Sequence, residues 1–371
     1  MKIVVQTNSG DKQVSFDLSR IPALDSRAVF WKGTPQVSRL NRGDVVDLSE
    51  TGIYHCWSRC VRSALLFGED PITGKDFGYR CDWMEKRIES LAGLFAIDVC
   101  FFAIMMNHFH LILGILPELL AKWSDKQVVK RSIKIFPNKF KELGVRGGEA
   151  TQEQIRNFAK DKKLVNELRS RLANPSWFLR QLKQNIAQRA NAEEQLTGHF
   201  WQGRFDCKRL VDEIGVLVCG MYVDLNEIRA GVAKSIDASK RTSAYRRLEA
   251  LRRRRQKKRG AADIDGFLCP VSTKGDGQSD GYQPSGTLES ARVSDGGLFE
   301  FSVEAYLELL DWTGRLLVEG KASIPADEPP ILEKLGMTGE SLKLQLEVFE
   351  SLRGPAIGRP ENVQRFVEAL G

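Results

Sequence analysis

The chain has 371 residues, 42% of them hydrophobic, and a net charge of +7. It is too long for one average domain, apolar enough for a packed core, and basic enough to favour polyanionic partners such as nucleic acid. The opening MKIVVQTNSGDKQ lacks an apolar signal core, and no run nears the roughly 18 apolar residues that span a bilayer.

A cytoplasmic protein with no membrane partner is therefore expected. Seven cysteines at low density, none with zinc-ribbon spacing, fit a reducing compartment.

Residues 1–50 mix Gly, Pro and charge around one short strand, 2–6, and are read as an N-terminal extension. From 54 to 61 the chain alternates as a strand, and 71–74 is a turn. Trp83, Met84, Ile88, Leu91 and Leu94 recur at helical spacing, so 82–95 is an amphipathic helix. A buried strand follows over 97–104; Asn107 breaks it, and 108–113 resumes as strand. Strand, helix, strand, turn and strand in this order predict an α+β sandwich with an antiparallel sheet.

The charged stretch 117–175 reads as a helical insertion, with Trp123, Val128, Val129, Ile133 and Phe136 on its apolar side. Trp177, Phe178, Leu182, Ile186 and Ala190 mark another helix, with Arg180, Lys183 and Arg189 opposite. Residues 200–205 turn into a strand running through 211, and 214–226 is a helix that Gly231 would stop. Arg and Lys dominate 246–259, and Gly, Ser, Asp and Pro prevail to 297 as a flexible linker. Residues 298–371 carry at least two helical patterns and form a small C-terminal unit.

The chemistry centres on His108-Phe109-His110, which holds two of the four histidines. Residues two apart on a strand face the same way, so both imidazoles can approach one divalent metal. Two half-buried strand histidines without a ligand would show the same spacing, and two ligands alone hold a metal weakly. Tyr222 and Asn226, four apart, share one helix face. Asn226 offers a hard carbonyl oxygen, and Tyr222 could set its phenol beside the metal. On spacing alone, a core or capping tyrosine fits position 222 as well. Tyr245 also has an acceptor four residues on, Glu249, but leads into the basic run.

Four blocks, in order, resemble the IS200-like single-tyrosine transposases, in the branch associated with repetitive extragenic palindromes. They are Tyr54-His55 with Ser58-Arg59, Met106 through Leu111, Phe200 through Phe205, and Tyr222 through Gly231. The resemblance covers roughly 53–233. It implies an HUH endonuclease core: a ferredoxin-like antiparallel sheet flanked by helices, occupying 51–245. It implies Mg²⁺ or Mn²⁺ on His108 and His110 with Asn226 as third ligand, and Tyr222 as nucleophile forming a 5′-phosphotyrosine on single-stranded hairpin DNA. Both monomers and homodimers that exchange the tyrosine helix fit it. Glu227 stands where the family usually has Pro, and the insertion lengthens the stretch between His110 and Tyr222.

Single-stranded DNA needs cations and stacking surfaces. Arg59, Arg62, Arg180, Lys183, Arg189, Arg204 and Arg229 are candidate phosphate contacts, and Trp201 and Phe205 candidate stackers. Trp201 and Phe205 would equally suit a core. Arg252, Arg253, Arg254 and Arg255 would bind phosphates without sequence preference, or form a solvated linker end. Two other functions compete with the transposase: a hairpin-binding protein without activity, and a metal-dependent hydrolase that uses water and leaves Tyr222 dispensable.

Overall fold

The computed structural model describes residues 2–6, 13–17, 45–71, 73–147, 149–256, 264–274, 290–319, 329–349, 352 and 354–370. Lys2–Gln6 (β1) and Gln13–Asp17 (β2) pair antiparallel as a separate two-stranded sheet. Much of the extension read over 1–50 lies outside the described residues, as do parts of 246–297.

A five-stranded sheet organises the rest. Gly52–Arg59 (β3), Ile97–Ile104 (β4), His108–Ile115 (β5), Asp206–Leu210 (β6) and Ala356–Ile357 (β7) lie in the order β4-β5-β3-β6-β7. Helices cover both faces, so the architecture is mixed α+β with a central sheet flanked by helices. They are Arg80–Ala92 (α1), Pro117–Lys122 (α2), Asp125–Ile135 (α3), Pro137–Glu142 (α4), Gln152–Lys160 (α5), Lys162–Leu172 (α6), Pro175–Glu194 (α7), Glu213–Asp224 (α8), Asn226–Arg229 (α9), Ser243–Arg255 (α10), Val303–Glu319 (α11), Pro330–Lys334 (α12), Gly339–Val348 (α13) and Pro360–Ala369 (α14). None of the described helices is long and apolar enough to cross a membrane.

The side-chain alternation of the strands divides the interior in two. Tyr54 and Cys56 on β3 and Phe109, Leu111 and Leu113 on β5 enter one core, shared with α1, the insertion helices and α7. Ile112 faces the other, which holds α8 and the apolar sides of α11 and α13. On β4 a bulge between Val99 and Phe101 shifts the phase, so that Val99 and Phe102 face the first core and Phe101 and Ala103 the second. With a core on each face, β4 is buried at every residue.

Helix α8 is covered on all sides, which explains why EIGVLVCGMYVD shows no polar stripe. It lies close on β4: a Cβ at Gly220 would come within 2.9 Å of the Phe101 ring. Asp212 caps its start, accepting from Gly215 N at 2.7 Å. The other carboxylate oxygen of Asp212 accepts from Arg359 N and Asn362 Nδ2, which fastens α14 to the same point. At its far end the buried Asp224 accepts from Ser243 Oγ, Ala244 N and Tyr306 Oη, tying α8 to α10 and α11.

Two sequence expectations meet a different outcome here. The four long strands pair antiparallel, but β7 joins β6 in parallel. A two-residue strand supplied by a distant segment is placed by docking, which local alternation does not encode. Within the stretch read as linker, Phe267, Leu268, Cys269 and Val271 are buried, and Cys269 N donates to Val99 O along β4. Four apolar residues anchor this piece, and the Gly- and Ser-rich surroundings mask them in a compositional reading.

Candidate active site

The second face of the sheet opens, beside α8 and α9, onto a pocket of about 460 Å³ lined by His108, His110, Tyr222, Asn226, Arg59 and Arg229, among others. His108 and His110 point the same way from β5, their rings edge-to-face with centroids 5.0 Å apart. Register places Arg59 opposite His108 and Trp57 opposite His110 on β3. Tyr222 sits two residues past Gly220, so the close approach of α8 to the sheet brings the phenol ring to 5.7 Å from His110, edge-on.

Asn226 opens the short α9. Backbone hydrogen bonds from Leu225 N to Met221 O and from Arg229 N to Leu225 O carry the helical path across the junction. Residues 222, 226 and 229 therefore fall on one side. Gly231, with φ of +70°, ends the path as its sequence position suggests. Glu227 turns away from the pocket; burial, above other causes, lifts its carboxyl to about 7.

Each histidine of the pair is held through Nδ1. Asn107 Nδ2 donates to the Ser63 carbonyl at 3.1 Å, so its Oδ1, 2.6 Å from His108 Nδ1, must be an acceptor. A neutral His108 then carries its proton on Nδ1 and its lone pair on Nε2. His110 Nδ1 lies 2.9 Å from His55 Nε2. Burial holds His55 down to about 3 and His110 well below the ordinary histidine range. Both rings are thus neutral at neutral pH, the form that binds metal.

Phe349, from the end of α13, stacks on the Tyr222 ring with centroids 4.1 Å apart, and the Arg229 guanidinium stands 4.4 Å from the same centroid. Lys208 reaches the pocket from β6 while its ammonium donates to Leu352 O.

The donor set suits a hard divalent cation in part: two imidazoles and a carboxamide oxygen, with a hydrogen-bond partner at Nδ1 of each ring. Among the described residues, no group of three His, Cys, Asp or Glu side chains is placed to hold a metal. Besides the two imidazoles the pocket lining offers the Asn226 carboxamide oxygen and, among the described residues, no carboxylate.

The other cations named from sequence are dispersed. Arg62 is exposed on the turn after β3, and Arg204 is exposed on the loop whose Gln202 N donates to Arg59 O. Arg180 and Arg189 lie on α7, which packs into the other core, with their guanidinium groups over Trp177 and Trp83. Lys183 is buried and donates to Gly203 O; Trp201 is buried and donates to Lys183 O, and Phe205 is buried too. Arg252, Arg253 and Arg254, in the last turn of α10, meet Asp237, Glu249 and Asp265, while Arg255 is exposed. None of these lines the pocket.

Sequence reasoning gave no role to Trp57, Lys208 or Phe349, and quoted His55 only within a motif. Alternation along 53–59 does put His55 and Trp57 on the face of Arg59; nothing local marks Phe349.

No family model matches the chain, and no curated protein matches it. A solved structure of a REP-associated tyrosine transposase bound to a REP hairpin is distantly similar, at 12% identity and a TM-score of 0.31, over 58% of this chain and 84% of that one.

Proposed function

We propose that this chain is a metal-dependent strand transferase that cleaves and rejoins single-stranded or hairpin DNA through Tyr222. The observation that carries the reading is the meeting of a phenol, two imidazoles and a carboxamide in one pocket with Arg59 and Arg229. The family resemblance of the sequence blocks assigns chemistry to these same four residues.

In this reading 51–245 carries the reaction, with the insertion over 117–175. His108, His110 and Asn226 hold Mg²⁺ or Mn²⁺, which when bound supplies Lewis acidity at the scissile phosphate. Arg59 and Arg229 bind its non-bridging oxygens as charged donors. Tyr222 Oη attacks phosphorus, and the bond from phosphorus to the 3′ oxygen breaks as the new one forms. The phenol loses a proton and the leaving 3′ oxygen gains one, giving a free 3′-OH and a 5′-phosphotyrosine. Attack by a 3′-OH on that ester restores the phenol and rejoins the strand. A water-using hydrolase would leave Tyr222 without a role, although its phenol lines the same pocket as His108, His110 and Asn226.

The test uses end-labelled hairpins with random flanking sequence, with Mn²⁺ or EDTA. Wild type should give an adduct that survives denaturation, and Tyr222→Phe or EDTA should abolish it. Cleavage that persists in Tyr222→Phe points to water as the nucleophile. Retention of hairpins without any adduct points to a binding protein.

A further inference from the structure

His55 takes no part in the chemistry above, yet it touches its centre. It stands on β3 opposite Ile112 of β5 and Lys208 of β6, 3% exposed. Its ring lies nearly parallel to that of His110, at 5.1 Å and 19°. The facing nitrogens, His55 Nε2 and His110 Nδ1, are 2.9 Å apart.

A neutral imidazole has one N–H and one lone pair, on different nitrogens. Two neutral rings facing each other at hydrogen-bond distance share a single proton between them. Two facing N–H groups would clash, and two facing lone pairs would repel. Only two arrangements remain. His110 Nδ1–H can donate to His55 Nε2, which leaves the His110 lone pair on Nε2. Alternatively His55 Nε2–H donates to His110 Nδ1, which puts a proton on His110 Nε2 and bars a cation from that atom.

We propose that His55 is a positioning residue for His110: by accepting its Nδ1 proton, His55 fixes the ring and turns the Nε2 lone pair toward a divalent cation. Asn107 does the same for His108, through the 2.6 Å contact with its Nδ1. The two ligands are thus oriented by different acceptors, one a carboxamide anchored on a turn, the other an imidazole inside the sheet. The acceptor role has a consequence. It sets the remaining proton of His55 on Nδ1, a buried atom with no hydrogen-bond partner among the described residues.

This inference rests on the metal reading of the pocket, and its test separates the two. Mn²⁺ binding is titrated by calorimetry on wild type, His110→Ala, His55→Phe and His55→Gln. Phe keeps the ring and loses the acceptor; the Gln amide oxygen reaches about where Nε2 lies. Loss of the acceptor should weaken Mn²⁺ binding about 10–100-fold, the usual effect of removing a second-shell partner, and Gln should restore most of it. If His55→Phe binds as tightly as wild type while His110→Ala does not bind, the positioning role is overturned alone. If His110→Ala also binds as wild type, the metal reading fails and takes this inference with it. Histidine-selective ¹⁵N NMR on wild type needs no substitution in the interior. With saturating Mg²⁺ it should show His110 protonated at Nδ1 and bare at Nε2; a proton on Nε2 instead overturns the proposal.

Discussion

The Tyr222 ring meets two groups of opposite character, the Phe349 face and the Arg229 guanidinium. Phe349 restricts the ring's tilt. Arg229 adds a positive charge, which in the proposed reaction would favour the developing phenolate over the neutral phenol. A cation over an aromatic ring contributes about 0.5–2 kcal/mol, and more as the ring turns anionic. Arg229→Ala should therefore slow single-turnover adduct formation about tenfold or more, while unfolding free energy falls by no more than about 2 kcal/mol. An unchanged rate would reduce Arg229 to a rim residue. The common facing of His108 and His110 is legible in the sequence because a period of two is local to a strand, and that of Tyr222 and Asn226 because four residues make about one helical turn. The positions of His55, Lys208 and Phe349 are not, since cross-strand register and the docking of α13 bring them to the pocket. By residue type Trp201 and Lys183 are candidate DNA contacts, Trp201 equally a core residue; in the fold both are buried, Lys183 donating to Gly203 O and Trp201 to Lys183 O. Residue type alone does not distinguish a cation on a groove from one that satisfies a buried carbonyl.

At the scale of elements, α8 sets where the phenol stands. Its two glycines serve close approach: Gly220 to the Phe101 ring, and Gly215 to the Ile357 carbonyl, where a Cβ would come within 2.5 Å. Phe101 is fully buried, so it has little room to yield. Gly220→Ala should cost about 1–3 kcal/mol, the usual range for overpacking a core, read as a lower urea midpoint. It should also lower adduct yield, because any lift of α8 carries Tyr222 away from His110. A variant as stable as wild type would show that Phe101 can move aside. The helix itself was legible as an apolar run stopped by Gly231. The β4 bulge was not, because eight consecutive buried residues show no alternation whose phase could shift.

For the whole molecule, the sheet separates two cores, and segments beyond residue 245 complete the second one, among them Cys269, Val271 and the apolar sides of α11 and α13. The piece 264–274 lies along β4, while Tyr306 and α14 hold the two ends of α8. Tyr306, Leu310, Leu342, Leu346 and Phe349, among others from the C-terminal stretch, thus share the core that seats Tyr222. Composition suggested a linker and an appended unit, because it weighs a few anchoring apolar residues no more than the polar ones around them. Asp98 on β4, beside this added layer, gives the fold a pH signature. Its burial, partly offset by the hydroxyl of Ser294, lifts its carboxyl from 3.8 to about 6. The folded state holds this proton more tightly than the unfolded chain. The stabilisation is therefore complete below about pH 4 and lost as pH rises through about 6. Relative to Asp98→Asn, wild type should lose about 3 kcal/mol of unfolding free energy between pH 4 and pH 7.5, measured by urea titration. Parallel pH profiles for the two proteins would refute this assignment.

In the proposed reaction Tyr222 forms the covalent bond to DNA, which mass spectrometry of peptides from the nuclease-trimmed adduct formed with Mn²⁺ can locate. The expected result is a nucleotide mass on the peptide containing Tyr222, joined through a 5′ phosphate. A nucleotide on another residue such as Tyr245, or cleaved DNA with no modified peptide, would contradict it.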